Sequence, residues 1–372
     1  MDARTNGGCP ESGQTGSSIV TALAGLRPPR VAVVVGCHDQ GAYVEAAIRS
    51  VAAQSYENLE CVVLDDSSTD GSADRIRGVI ESLGDTRFQA ILRRENGGQM
   101  VTMLEGLDAT SSPFVAFLDA DDLWHPAFLE RHVSAHMSSR GVAAVSCSNL
   151  AVVDADGTQL SGGKPNFFRV NPHQPYQKHI VAEEELDTET RLFVAPGIIS
   201  EWIWNATSAM MFRRAVLEVL RPARPERLRI CADRYLARVS HMLGGTVRIE
   251  RSLGCYRLHG RNGFAKNPLL GARTAFGRPP RSIVVAADEE LVRCLCDKAE
   301  LLRATLPPRY AADLLLAHVG TEGAMALAAS NAGARLLISD LPPPRSKTRL
   351  HKIKRRLTRW LRPKSETKMR SR

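Results

Sequence analysis

Three carboxylates crowd into four positions in Asp119-Ala120-Asp121-Asp122, directly after an apolar run. Like charges this close repel one another, and burial would raise the pKa of at least one. A hard divalent cation relieves the repulsion, and magnesium or manganese prefers a few protein carboxylates completed by phosphate oxygens. The natural ligand of the cluster is then a metal–diphosphate. A helix N-terminus is the competing reading, since Asp there caps free N–H groups and suits the helix dipole, and Pro126 follows closely. A second acidic cluster, Asp65-Asp66-Ser67-Ser68-Thr69-Asp70-Gly71-Ser72, also follows an apolar run. Asp66 could accept from a base N–H or a ribose hydroxyl, whereas Thr69, Asp70 and Ser72 suit the cap of the next helix. Asn96-Gly97-Gly98 allows either close backbone approach to a ligand or a plain turn. Neither a dinucleotide fingerprint after the first apolar run nor a Walker-type G-x-x-x-x-G-K occurs.

The elements between these residues must bring them together. Residues 31–35 form a Val-rich run, the mark of a buried parallel strand. Helical spacing follows at Val44, Ile48 and Val51, then a strand at 61–64. A helix over 72–83 carries Ile76, Val79, Ile80 and Leu83. A strand at 88–92, a helix with Val101, Leu104 and Leu107, and a strand at 114–118 complete the series. Such alternation builds a parallel sheet with helices on both faces, whose ligands collect at the carboxyl ends of the strands. Both acidic clusters sit at such ends, so one rim collects them.

The second half is less regular. Strands are expected at 142–146, 210–212, 247–249 and 254–258, and a helix at 233–242. Asp154-Ala155-Asp156-Gly157 reads as a hairpin turn between 151–153 and 158–160; it begins like a calcium loop but has no Glu at the twelfth position. Residues 161–200, rich in Pro, polar and charged residues, read as a long loop. A linker at 260–282 and helices near 288–304 and 308–329 follow.

A chain of 372 residues with 44% hydrophobic content can bury a sizeable core, which excludes wholesale disorder. The net charge of +9 is concentrated at one end. Residues 345–372 hold 13 of the 49 basic and one of the 40 acidic residues, so this segment carries +12 and the rest −3. Nucleic-acid binding by the folded body is therefore not expected. The eight cysteines show no zinc spacing and read as reduced, buried thiols of a cytoplasmic protein. No apolar run reaches the ~18 residues of a membrane span. Residues 1–29 lack the basic start and long apolar stretch of a secretory signal and read as a flexible leader.

Taken together, residues 31–40, 43–56, 62–72, Asn96-Gly97-Gly98, 117–126, 208–214, Asp233 and 256–262 resemble, in family order, a family-2 glycosyltransferase. The resemblance implies the α/β GT-A nucleotide-diphospho-sugar transferase fold, a mostly parallel sheet flanked by helices, with a C-terminal helical extension. The expected boundaries are a GT-A domain at 30–262, a linker at 263–285, a helical region at 286–340 and a basic tail at 341–372. The implied reaction is metal-dependent, inverting hexosyl transfer from a nucleotide-diphosphate sugar, UDP by default, to a hydroxyl of a saccharide or lipid-linked acceptor. Surface polysaccharide or glycoconjugate synthesis is the implied setting. Asp66 matches the carboxylate that reads the base, Asp121 the group near the ribose and Asp122 a ligand of Mn2+ or Mg2+, with Asp119 completing the D-x-D. Gly36, Asp39 and Asn96 fall in the donor-nucleotide pieces. Asp233 matches the catalytic base, and His259 a metal or diphosphate contact. Asp39 stands where Asn is common, and Ala232 where an acidic neighbour of the base is often seen.

Trp202 and Trp204 could offer aromatic faces to an acceptor sugar or pack in the core. In the tail, Leu350, Ile353, Leu357, Trp360 and Leu361 form one apolar stripe on a helix flanked by Lys and Arg. Such a helix suits an anionic membrane surface and a peripheral place on the inner face of the plasma membrane, with a disordered polybasic tail or a nucleic-acid contact as the alternatives. The rival readings are a nucleotidyltransferase and an inactive sugar-nucleotide or partner-binding module. The former usually wants a basic, Gly-rich loop after the first strand, and residues 36–40 hold no Lys or Arg.

Overall fold

The Val-rich run becomes the central strand β1 (Val31–Cys37) in a computed structural model that describes residues 28–139, 142–161, 180–186, 189–199, 202–262 and 279–341. The leader up to residue 27 and the basic tail lie outside the described residues, and with them the expected membrane-binding helix. β1 pairs in parallel with β2 (Leu59–Asp65) and β4 (Phe114–Asp119), and β3 (Phe88–Leu92) extends β2. Gly36 lies beside both Leu64 and Asp119, and Cys37 beside Asp65, so the register alone brings the two acidic clusters to one rim. Alternate residues of β1 serve opposite faces. Val31, Val33 and Val35 pack with α1 (Val44–Ala52) and α2 (Ser72–Leu83), while Ala32 and Val34 pack with α3 (Gln99–Asp108).

Beyond β4 the sheet becomes mixed. β5 (Leu123–Trp124) and α4 (Phe128–Ser138) lead to β6 (Val145–Val153), β7 (Gln159–Ser161), β8 (Ile180–Leu186) and β9 (Glu189–Val194). β10 (Met210–Arg213) lies antiparallel between β4 and β6. It is followed by α5 (Arg214–Val219), α6 (Ala232–Gly244) and β11 (Thr246–Arg257), which runs parallel to β6. The order is β3-β2-β1-β4-β10-β6-β11-β9-β8, with β5 on β11 and β7 on β6. The α/β class with a sheet flanked by helices is thus as expected, but the described strands make four parallel and six antiparallel pairings, a mixed sheet in place of the mostly parallel one expected.

Several expectations change. The loop expected over 161–200 contains the β8–β9 hairpin. These outer strands pair their backbones without needing an apolar pattern, which is why periodicity misses them. The two strands expected at 247–249 and 254–258 are one strand whose register slips on either side of Ser252. The expected linker gives way at Arg281, where α7 (Arg281–Asp297) begins. It is followed by α8 (Ala299–Thr305), α9 (Pro308–Ala328, interrupted at Gly320) and α10 (Ala332–Leu337). These helices form no separate core. Leu291, Leu295, Leu314 and Leu315 join Tyr235 and Leu236 of α6 and the α3 face of the sheet in one apolar cluster. Among the described residues no helix is long and apolar enough to cross a membrane.

Candidate active site

The rim opens into a cleft of about 970 Å³. Of the expected residues, Gly36, Asp66, Asn96, Asp119, Asp121, Trp202 and Asp233 line it. Gln99, Arg229, Arg234 and Arg261 line it too, and of these only Arg261 falls within a motif of the sequence.

Some of the acidic residues already have their partners. Asp66 accepts from the N–H groups of Gly97 at 2.8 Å and Gly98 at 2.7 Å, and Arg93 approaches at 3.0 Å. The carboxylate thus orders the Asn96-Gly97-Gly98 turn, while its lone pairs leave capacity for one more donor. The close backbone approach that the glycines permit is to protein: a Cβ on Gly98, at φ 85°, would sit 2.7 Å from Cα of Arg229. Asp39, at φ 52°, turns to the β2–α2 loop, accepting from the Thr69 N–H at 2.7 Å, while its neighbours His38 and Gln40 line the cleft. Asp122 is buried beneath the rim. Its two oxygens accept from Ser208 Oγ at 2.6 Å and from the Arg257 N–H at 3.0 Å. Ser208 Oγ also receives the Asp119 N–H at 3.2 Å, so it pins the acidic loop from below. The carboxylate expected to hold a metal therefore supports the loop and faces away from the cleft.

Asp119, Asp121 and Asp233 are different. Asp119 is pushed up to about 7, first by burial and then by the charges of Asp121 and Asp233. Asp233 stands in the first turn of α6 and is pushed up to about 6, chiefly by burial. Gln99 joins the two sides: its Nε2 donates to Asp119 Oδ1 at 3.2 Å, and its Oε1 accepts the Ala232 N–H at 2.9 Å. Gln99 directly follows Asn96-Gly97-Gly98, and that adjacency was the available signal for it. His259 Nε2 lies 2.9 Å from Asp121 Oδ2, and its ring stacks on Tyr43 at 5.0 Å.

The donor set fits a divalent cation only as an open site. Among the described residues no three His, Cys, Asp or Glu side chains converge on one point. Magnesium and manganese with a nucleotide need few protein ligands, because phosphate oxygens supply the rest. Asp121 is placed at the cleft to supply such a ligand, whereas His259, its side chain 1% exposed and off the cleft lining, reaches the site only through Asp121; a cation there would lower the part of Asp119's upward shift that comes from neighbouring charge.

The two tryptophans part company. Trp202 lines the cleft, half-buried. Trp204 is 1% exposed, donates from Nε1 to Thr246 Oγ1 at 2.9 Å and meets Trp202 edge-on. It is a core residue with no free face for a sugar.

Known proteins resemble parts of this chain. Residues 32–183 match the family model described as glycosyl transferase family 2. An uncharacterized glycosyltransferase of Nostoc sp. is 30% identical over 233 residues, covering 63% of this chain and 66% of that protein. EpsH of Bacillus subtilis, named as a glycosyltransferase, is 22% identical over 237 residues, covering 63% of this chain and 62% of its own. The chain spans about two thirds or less of the length of these curated relatives. Among solved structures, S. aureus TarS 1-349 in complex with UDP-GlcNAc is 16% identical, with a TM-score of 0.48 over 81% of this chain and 76% of that one. With the relatives and the family model in agreement, the chain carries a domain of glycosyltransferase family 2.

Proposed function

We propose that this chain transfers a sugar, with inversion, from a nucleotide-diphosphate donor to a hydroxyl of a saccharide or lipid-linked acceptor, in surface polysaccharide or glycoconjugate synthesis. The observation that carries the reading is the meeting of Asp119, Asp121 and Asp233 at one cleft, with Gln99 bridging the rim to the helix of Asp233. Relatives point the same way: TuaG of Bacillus subtilis is named for teichuronic acid biosynthesis and ExoO of Rhizobium meliloti for succinoglycan biosynthesis.

An inverting transfer is a direct displacement. The acceptor hydroxyl must lose its proton as it attacks, and Asp233 takes it. A pKa near the working pH keeps enough carboxylate while leaving a useful basicity. Asp66 and Asn96 face the donor nucleotide. Asp121, with His259 hydrogen-bonded behind it, would hold a divalent cation, which when bound would supply charge neutralisation for the departing diphosphate. Trp202 offers its face to the acceptor. Residues 345–372 bring the enzyme to an anionic leaflet, where lipid-linked acceptors reside.

A panel of nucleotide sugars, assayed for hydrolysis with Mn2+, with Mg2+ and with chelator, tests the reading. The expected result is metal-dependent turnover of one donor class, and inverted configuration at the anomeric carbon of the product. Binding of a donor without turnover under any condition would leave only the inactive-module reading standing. Deleting 345–372 is expected to abolish co-sedimentation with anionic liposomes at low salt while donor hydrolysis persists. Liposome binding unchanged by the deletion discards the membrane role.

A further inference from the structure

Building on the reaction just proposed, we propose that three consecutive acids of α7, Asp288, Glu289 and Glu290, position the loop and helix that carry Asp233. The C-terminal helices are then a working part of the catalytic centre, although they lie wholly beyond the residues matched by the family model. Each acid holds a different arginine of the segment around Asp233. Glu290, fully buried, accepts from Arg224 Nε at 2.6 Å and from the Arg224 N–H at 3.2 Å. Glu289 pairs with Arg227 at 2.6 Å, and Asp288 with Arg238 of α6 at 2.6 Å.

The clamped loop runs straight to the site. Its Leu228 and Arg229 carbonyls accept from the N–H groups of Met100 and Gln99 at the start of α3. It ends at Cys231, which holds a φ of 56° immediately before α6. A non-glycine residue keeps a left-handed backbone only where its surroundings impose it. Here the impositions come from α7 on one side and α3 on the other, and Gln99 then ties Ala232 to Asp119. A base must meet the acceptor hydroxyl within hydrogen-bond reach, and a misplacement of about 1 Å can cost on the order of 10² in rate. Charge is essential to the clamp. Arg227, which Glu289 also holds, and Arg293 lie within 4.0 Å of Glu290, so a neutral side chain there removes the one fully buried negative charge that three arginines share.

The test compares Glu290→Gln, Glu289→Gln and, as a control on charge alone, Asp313→Asn, which breaks an exposed pair with Arg309 on the same helical region. Glu290→Gln is expected to lower kcat by tenfold or more with donor KM and donor Kd within twofold of wild type. Glu289→Gln, whose arginine is partly exposed, is expected to lower kcat severalfold, and Asp313→Asn to leave it unchanged. Glu289→Asp should recover most of the loss. Amide hydrogen exchange in the full chain reads the clamp without substrate: residues 228–234 should exchange faster in Glu290→Gln, with β1 and β4 unchanged. If Glu290→Gln does not fold, Glu289→Gln carries the same comparison. Unchanged kcat together with unchanged exchange overturns the proposal, as does a fall in donor affinity that parallels the fall in kcat. A wild type inactive on every donor would overturn the proposed reaction instead, while the exchange experiment would still decide the clamp.

Discussion

The rim formed by β1, β2 and β4 and the segment carrying Asp233 face one cleft but are held in different ways. The rim is positioned by strand register and by short-range contacts: Gly36 beside Asp119, Asp66 on the two glycine N–H groups, Asp122 on Ser208. The Asp233 segment has no strand to stand on. A strained residue introduces its helix, and ion pairs to acids 50–66 positions further along the chain hold it. The lesson is that the donor half of the site is part of the sheet, while the base is attached from outside it. That makes the base the more easily displaced element.

The sharpest way to break the comparison is Asp233→Asn, which keeps the shape and removes proton acceptance. Turnover should fall on the order of 10²–10⁴ with donor affinity little changed. Loss of donor binding instead would move Asp233 to the nucleotide side of the cleft and erase the distinction between the two regions.

Within the rim, Asp121→Ala and Asp122→Ala should separate a ligand from a support. Asp121→Ala is expected to abolish stimulation by Mn2+ while leaving thermal stability unchanged or slightly raised, since it removes a charge that repels Asp119. Asp122→Ala leaves the Ser208 hydroxyl and the Arg257 N–H without their acceptor in a buried place. It should cost about 1–3 kcal/mol, read as a lower denaturation midpoint. Equal stability of the two variants, with metal stimulation lost only in Asp122→Ala, would restore Asp122 as the ligand.

Gln99→Leu cuts the bridge between the regions without removing a charge. A hydrogen bond of this kind is worth roughly 1 kcal/mol, so kcat should fall roughly tenfold or less, with donor Kd unchanged. No change in kcat would mean that the rim and the base are set independently.

How much of this was legible in the sequence follows the same division. Continuous apolar runs ending in Asp reveal β1, β2 and β4 and where their ends meet, because burial on both sheet faces writes itself into composition. Asp119, Asp121 and Asp66 could therefore be placed at the rim without coordinates. That Asp122 faces inward could not, since one position along a turn decides it and its partners, Ser208 and Arg257, come from distant strands. Trp204 was ambiguous for a related reason: an indole suits a sugar or a core equally well, and only Thr246 settles it. Asp288, Glu289 and Glu290 look like any solvated helix face until their arginines are seen. The hairpin of β8 and β9 lacks an apolar period, so pattern reading passes over it.

The smallest expected effect concerns pH, and its sign differs between stability and turnover. Asp119 and Asp233 are raised in the folded protein to about 7 and about 6, from an unfolded value near 3.8, mainly because burial disfavours their charge. As pH falls from 8 through these values, the folded state takes up protons that the unfolded state does not yet bind, so folding is favoured. The gain is complete only when pH approaches the unfolded value. By then Asp70 and Asp85, which their hydrogen bonds hold below the usual carboxylate range, begin to lose the stability they supply. Buried His132, His136 and His318, which burial holds below the ordinary imidazole value, work against this, since the unfolded chain binds protons near 6.5 that they refuse, so the contribution of Asp233 is read as a difference between wild type and variant. Relative to wild type, Asp233→Asn should lose melting temperature on going from pH 8 to pH 5.5, by an amount on the order of 2 °C, because it lacks the raised carboxylate that favours folding at lower pH. Turnover runs the other way, since the base must be ionised, and should decline below about pH 6. A melting difference between wild type and Asp233→Asn that stays the same from pH 8 to 5.5 would mean that Asp233 is not raised in the folded state.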